Sequence, residues 1–217
     1  MGKVEMDTIL CTAEKLTPDN LKRKKHCPYM PNFIEQIRQQ LNCKIPLETA
    51  VFTCWTTCFY TSARLGEFNT RTLSSFNTNT HITPQNLSYN QDHHNFKVMV
   101  LHLPFTKTAS AEGEDIYWAS QEGESDPMAV LQNHLQINQP SESSHLFAYQ
   151  AKHRHHPLII AKFLQRIGAA THAARLEPLQ GCGIQIGLTL EYLLQGVPFD
   201  IMKVKGHWAG DSFQLYL

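Results

Sequence analysis

One segment constrains this chain more than any other. From Leu47, the apolar residues Ala50, Val51, Cys54, Trp55, Cys58 and Phe59 recur at intervals of three and four, with Pro46 in front of them. That spacing lays one apolar stripe along an α-helix, and a proline fits the first helical turn because its missing N–H has no partner to lose there. The segment is expected to be a long buried helix that ends near Thr61-Ser62-Ala63-Arg64-Leu65-Gly66-Glu67. With 42% of its 217 residues hydrophobic, the chain has enough apolar matter to build a core around such a helix.

The remaining elements arrange themselves about it. Phe33, Ile34, Ile37 and Leu41 follow Pro31 at helical spacing. Residues 69–95 are polar and rich in Asn, Thr and His, and read as loop with room for a short strand. Residues 96–103 alternate in the manner of a strand, and Asp115-Ile116-Tyr117-Trp118 is its expected partner, which makes 104–114 the connection of a hairpin. Asp126-Pro127 is a cap followed by a first-turn proline, with Met128, Val130, Leu131 and Leu135 on the helix behind it. Another helix is expected from Pro157, carrying Leu158, Ile159, Phe163, Leu164 and Ile167. The tail divides into three short helices, about 184–195, 198–205 and one from Asp211, the first two closed by Gly196 and Gly206. No internal repeat is visible. The fold class is therefore mainly α with a small antiparallel sheet, α+β.

Composition narrows the function. Nineteen basic and nineteen acidic side chains leave no formal net charge, which excludes a globally basic nucleic-acid binder but not a local basic patch. No stretch of 18 apolar residues suggests a membrane span, and the N-terminus lacks the layout of a secretory signal. Six cysteines without a CxxC pair fit a reducing, intracellular compartment, with Cys54 and Cys58 as small core residues. The one dense basic run, Lys22-Arg23-Lys24-Lys25-His26, lies beside Pro28 and Pro31 and is either a solvated linker or a phosphate contact. His153, His155 and His156 surround Arg154 but are too close in sequence to face one ion, so no metal site is expected. The acidic positions between Glu112 and Asp126 read as a solvated hairpin rather than a cation cage.

Taken alone, Arg64 is a helix-end cation with Glu67 as a candidate partner, and Lys107 in Phe105-Thr106-Lys107-Thr108 is an ordinary exposed lysine. The C-terminal stretch changes that weighing. It runs Gly181-Cys182-Gly183-Ile184-Gln185-Ile186-Gly187, then on to Gly206-His207-Trp208 and Asp211-Ser212-Phe213-Gln214-Leu215-Tyr216. Together with Arg64-Leu65-Gly66-Glu67 and the hairpin Lys107, this order resembles the catalytic domain of tyrosine recombinases, the phage-integrase superfamily. It is most similar to recombinase-like proteins of fungal mobile elements. His207 and Tyr216 keep the family's separation of nine residues.

The resemblance covers residues 22–217, with 1–21 as the end of an N-terminal DNA-clamping domain or a linker. It implies DNA recombination or integration by strand breaking and rejoining through a phosphotyrosine. Arg64 would be the first phosphate-binding arginine with Glu67 supporting it, and Lys107 the general acid. His207, helped by Trp208, would donate to the phosphate, and Tyr216 would be the nucleophile. The departures lie in the His-x-x-Arg box, where Cys182 holds the His position and Gln185 the Arg position. A Gln donates a hydrogen bond but brings no charge, and a thiol is a poor relay for an imidazole. Leu217 directly follows Tyr216, where relatives continue, so the chain reads as a fragment or a decayed copy. The implied partner is double-stranded DNA, gripped by Lys22, Arg23, Lys24, Lys25, Arg71, Lys152, Arg154, Lys203 and Lys205, with copies assembling on it. No metal, small-molecule cofactor or membrane is implied, and a eukaryotic host would place the protein in the nucleus. The expectation is a catalytically weakened recombinase. The alternative is a non-catalytic DNA-binding or interaction remnant of one.

Overall fold

The computed structural model describes residues 30–91, 95–106, 109–177 and 182–205. Helix α1 (Pro31–Arg38) leads into α2 (Pro46–Thr61), the long helix anticipated behind Pro46. A single apolar stripe understates α2, because every residue from Thr49 to Thr61 is buried. A helix covered on all sides must also bury its polar positions, and four of its five threonines do so by bonding back to a carbonyl one turn earlier, Thr57 being the exception. The Thr53 hydroxyl donates to the Thr49 carbonyl at 2.8 Å, Thr61 to Thr57 at 2.7 Å and Thr56 to Phe52 at 3.2 Å. Trp55 fills the centre, meeting Phe33 and Phe52 edge-on.

Around α2 stand α3 (Leu65–Phe68), α4 (Pro127–Asn138), α5 (Ile160–Ala173), α6 (Cys182–Leu194) and α7 (Phe199–Lys205). None of the described helices is long and apolar enough to cross a membrane. Asp126 caps α4 as anticipated, its carboxylate accepting from the Met128 and Ala129 amides. Helix α5 begins at Ile160 rather than at Pro157, because Leu158 and Ile159 are held extended against Thr70 in a parallel bridge. The Thr70 amide donates to the Leu158 carbonyl and the Ile160 amide to that of Thr70.

The sheet is antiparallel in the order β1 (Leu87–Gln91), β2 (Lys97–Leu103), β3 (Glu114–Ala119). In β3 the alternation holds, with Ile116 and Trp118 buried and Asp115 and Tyr117 exposed. Where β2 turns toward β3, only glycine fits at 113. Its φ is +70°, and a Cβ there would stand 2.3 Å from the Leu103 carbonyl oxygen and 2.8 Å from the His102 ring. A second hairpin, β4 (Tyr149–Ala151) with β5 (Arg154–His156), was not anticipated, since its strands are three residues long and polar. Cys54 and Cys58 are fully buried free thiols, and burial raises the Cys58 thiol well above its usual range, which leaves it unreactive.

Two buried histidines tie these layers together. His134 donates from Nε2 to the Leu146 carbonyl at 2.9 Å, and its Nδ1 accepts from the Asn138 amide at 3.0 Å. His145 packs between Phe76 and Phe147 and accepts the Phe147 amide at Nδ1. Burial pushes His134 down to about 4 and His145 down to about 3, so both rings are neutral in the native state. The unfolded chain protonates them near pH 6.5, so it takes up protons the native rings refuse, and stability falls as the pH drops below that value. Between pH 7.5 and pH 5 the unfolding free energy should fall by about 2 kcal/mol for each ring. Denaturant titrations at the two pH values check this. In His145→Gln, whose amide oxygen can still accept from Phe147, the loss should shrink by one ring's share, and an unchanged loss would contradict the assignment.

Candidate functional site

The end of α2 decides where Arg64 goes. Ser62, the C-cap, sits in the left-handed region at φ 58°, so the chain turns sharply off the helix axis at that residue. Arg64 then becomes the residue that caps α3, not the last residue of α2. The pairing with Glu67 holds in a two-pronged form. One Glu67 oxygen accepts the Arg64 backbone amide at 2.9 Å, as an acidic third residue does in a capping box, and the other meets the Arg64 guanidinium at 3.3 Å. An ion pair that is still partly open to water, as this one is on the Arg64 side, adds only about 1 kcal/mol to stability. Its effect is orientation: Glu67 is nearly covered, with its side chain 11% exposed, while that of Arg64 keeps 36% of its surface open.

Arg64 opens onto a hollow of about 580 Å³. Gly66, Glu67 and Asn69 line it from α3 and the residue after it; Arg71, Ser75, Thr80 and His81 from the following loop; Phe105 and Thr106 from the β2–β3 connection; and Ile160 from the start of α5. Asn69 is fixed by donating to the Leu65 carbonyl at 3.1 Å. The Thr106 hydroxyl accepts the Ala109 amide at 2.9 Å. Among the described residues, the charged groups lining the hollow are two guanidiniums and one carboxylate. Such a wall accepts an anion, and guanidinium is the group suited to paired oxygens of a phosphate.

The other anticipated residues divide as follows. Lys107 lies outside the described residues, although its neighbours Phe105 and Thr106 line the hollow. Lys22, Arg23, Lys24, Lys25, His207, Trp208 and Tyr216 also lie outside them. Cys182 and Gln185 fall in the first turns of α6, and Lys203 and Lys205 at the end of α7. Arg154 does not join the hollow; it starts β5 on the second hairpin, where Lys152, His153 and His155 are exposed beside it. His155 is engaged there, its Nε2 donating to the Asn138 carbonyl at 2.6 Å. Ser75, Thr80 and His81 were not singled out from the sequence. They sit in a polar loop without a periodic pattern, and only its path past Arg64 gives them a place in the wall.

No family model matches the chain, and no curated protein matches it. Among solved structures it resembles the Flpe–Holliday junction complex, with a TM-score of 0.56 at 12% identity over 98% of this chain and 52% of that one. It also resembles the FLP recombinase–Holliday junction complex I, with a TM-score of 0.55 at 14% identity over 82% of this chain and 43% of that one. The chain spans about half the length of the chains it matches. At this identity the likeness establishes the fold: helices around a small antiparallel sheet, as in those recombinases.

The second hairpin yields a test of its own. Its two-residue loop holds Lys152 at φ 47° and His153 at φ 65°, left-handed positions where Asn and Gly are the residues of least strain. Lys152→Asn combined with His153→Gly should therefore raise the unfolding free energy by about 1 kcal/mol or more. Denaturant titration of the parent and the doubly substituted chain checks this, and an unchanged unfolding free energy would mean that the turn stores no such strain.

Proposed function

We propose that this chain is a DNA-binding, strand breaking and rejoining domain of the tyrosine recombinase kind, weakened at two positions. One observation carries the reading: Arg64, oriented by a nearly covered Glu67, faces a hollow whose wall includes a second arginine and the residues just before Lys107. The fold shared with recombinases seen bound to DNA junctions supports it.

In the proposed reaction the Tyr216 oxygen gives up its proton to water and attacks a backbone phosphorus. The bond to the 5′ oxygen breaks as Lys107 gives that oxygen its proton, and a phosphotyrosine conserves the bond energy until a 5′ hydroxyl reverses the step. Negative charge gathers on the non-bridging oxygens, which Arg64 and His207, with Trp208, would stabilise. Cys182 and Gln185 would stand where an imidazole and a second guanidinium would serve better. Losing one such donor costs about 100- to 1000-fold in rate, and losing a transition-state arginine as much as about 10³ to 10⁵. Copies of the chain would assemble on DNA, in the nucleus of a eukaryotic host, with Lys22 to Lys25, Lys203 and Lys205 adding backbone contacts.

Incubation with DNA carrying a nicked trap, followed by denaturing electrophoresis, should reveal a faint covalent protein–DNA band that Tyr216→Phe removes. Binding without any band favours the non-catalytic reading, in which the fold still holds DNA but no longer cuts it. Cys182→His together with Gln185→Arg should raise cleavage by at least about tenfold over the parent, and by more than either change alone. A folded double variant with no gain would mean that these two positions are not the deficient part of the site.

A further inference from the structure

The hollow beside Arg64 is lined by a second arginine whose backbone is held on both sides. Arg71 is clamped from both sides by its backbone neighbours. On one side Thr70 is bridged to Leu158 and Ile160. On the other, Ser75 closes a turn on Thr72, whose amide donates to the Ser75 hydroxyl at 2.9 Å while that hydroxyl donates to the Thr72 carbonyl at 2.9 Å. The Arg71 side chain itself is exposed and forms no hydrogen bond or ion pair with any described residue. A rigid base under an uncommitted charge is the arrangement that binding sites use to avoid reordering on contact.

Charge counting gives Arg71 its weight. The Arg64 cation is opposed by Glu67 at 3.3 Å, so at a distance the pair nearly cancels. Arg64, Arg71 and Glu67 together give the described wall one net positive charge, and removing Arg71 would leave them with none. Among the described residues the pull of this hollow on an anion therefore rests on Arg71, while Arg64 supplies close hydrogen bonds once the anion has arrived.

We infer that Arg71 is the second cationic arm of the phosphate grip: it binds the same DNA backbone phosphate as Arg64 and supplies the charge that Gln185 lacks. The Ser75 and Thr80 hydroxyls and the His81 ring complete that side of the wall. This rests on the function proposed above. A fluorescent duplex is titrated with the full chain between 50 and 200 mM salt, comparing the parent with Arg71→Gln, Arg71→Lys, Arg64→Gln, the Arg64→Gln/Arg71→Gln pair, and Lys162→Gln as a control lysine on α5.

Arg71→Gln should weaken binding by about tenfold at 100 mM salt and reduce the salt slope by about one, with an unfolding midpoint like the parent's. Arg71→Lys should restore the slope but only part of the affinity, because an ammonium lacks the planar fork. The paired variant should lose less than the product of the two single losses, as expected for two groups on one anion. Lys162→Gln should change little. If Arg64→Gln weakens binding while Arg71→Gln, still folded, does not, Arg71 is not part of the grip. A loss equal to that of Lys162→Gln, or fully multiplicative losses, would equally overturn a shared phosphate. A parent chain that binds no duplex at 50 mM salt would instead overturn the proposed function itself.

Discussion

Everything in this fold is arranged around a helix that has no solvent-facing side. Burying thirteen consecutive residues of α2 is eased because four of its five threonine hydroxyls bond back to a carbonyl one turn earlier. An asparagine- or charge-bearing version of the same helix would leave buried groups in search of partners. The constraint has a consequence for the site. A rigid rod packed on every side fixes its own end, and that end, at Ser62, sets the direction from which Arg64 enters its hollow.

At the site, a carboxylate of modest energetic value has a large geometric effect. Glu67 grips Arg64 by both backbone and side chain, which orients the guanidinium. The same carboxylate cancels most of the charge it orients. The loop that carries Arg71 past the opening brings a second guanidinium to the same wall. Two arginines seven positions apart in sequence thus line one hollow, one held by a carboxylate and one not.

Much of the architecture was legible before any coordinates. Pro46 and the spacing from Leu47 to Phe59 gave α2, Asp126-Pro127 gave α4, and the alternation around Ile116 and Trp118 gave the sheet. The pairing of Arg64 with Glu67 was legible too, because residues three apart meet on a helical turn. The second hairpin was not, since three-residue polar strands carry too little periodicity to register. Nor was the late start of α5: Leu158 and Ile159 look helical in sequence, yet a single bridge to Thr70 holds them extended.

The order of residues alone determined which segments coil and which pair, because those properties depend on near neighbours and on repeating intervals. Which side chains share a single opening was decided only by the tertiary structure. Arg64, Arg71, His81, Thr106 and Ile160 come from segments up to 96 positions apart, counting from 64 to 160. What joins them is the turn at Ser62, the bridge at Thr70 and the path of a loop, long-range contacts that no local pattern encodes.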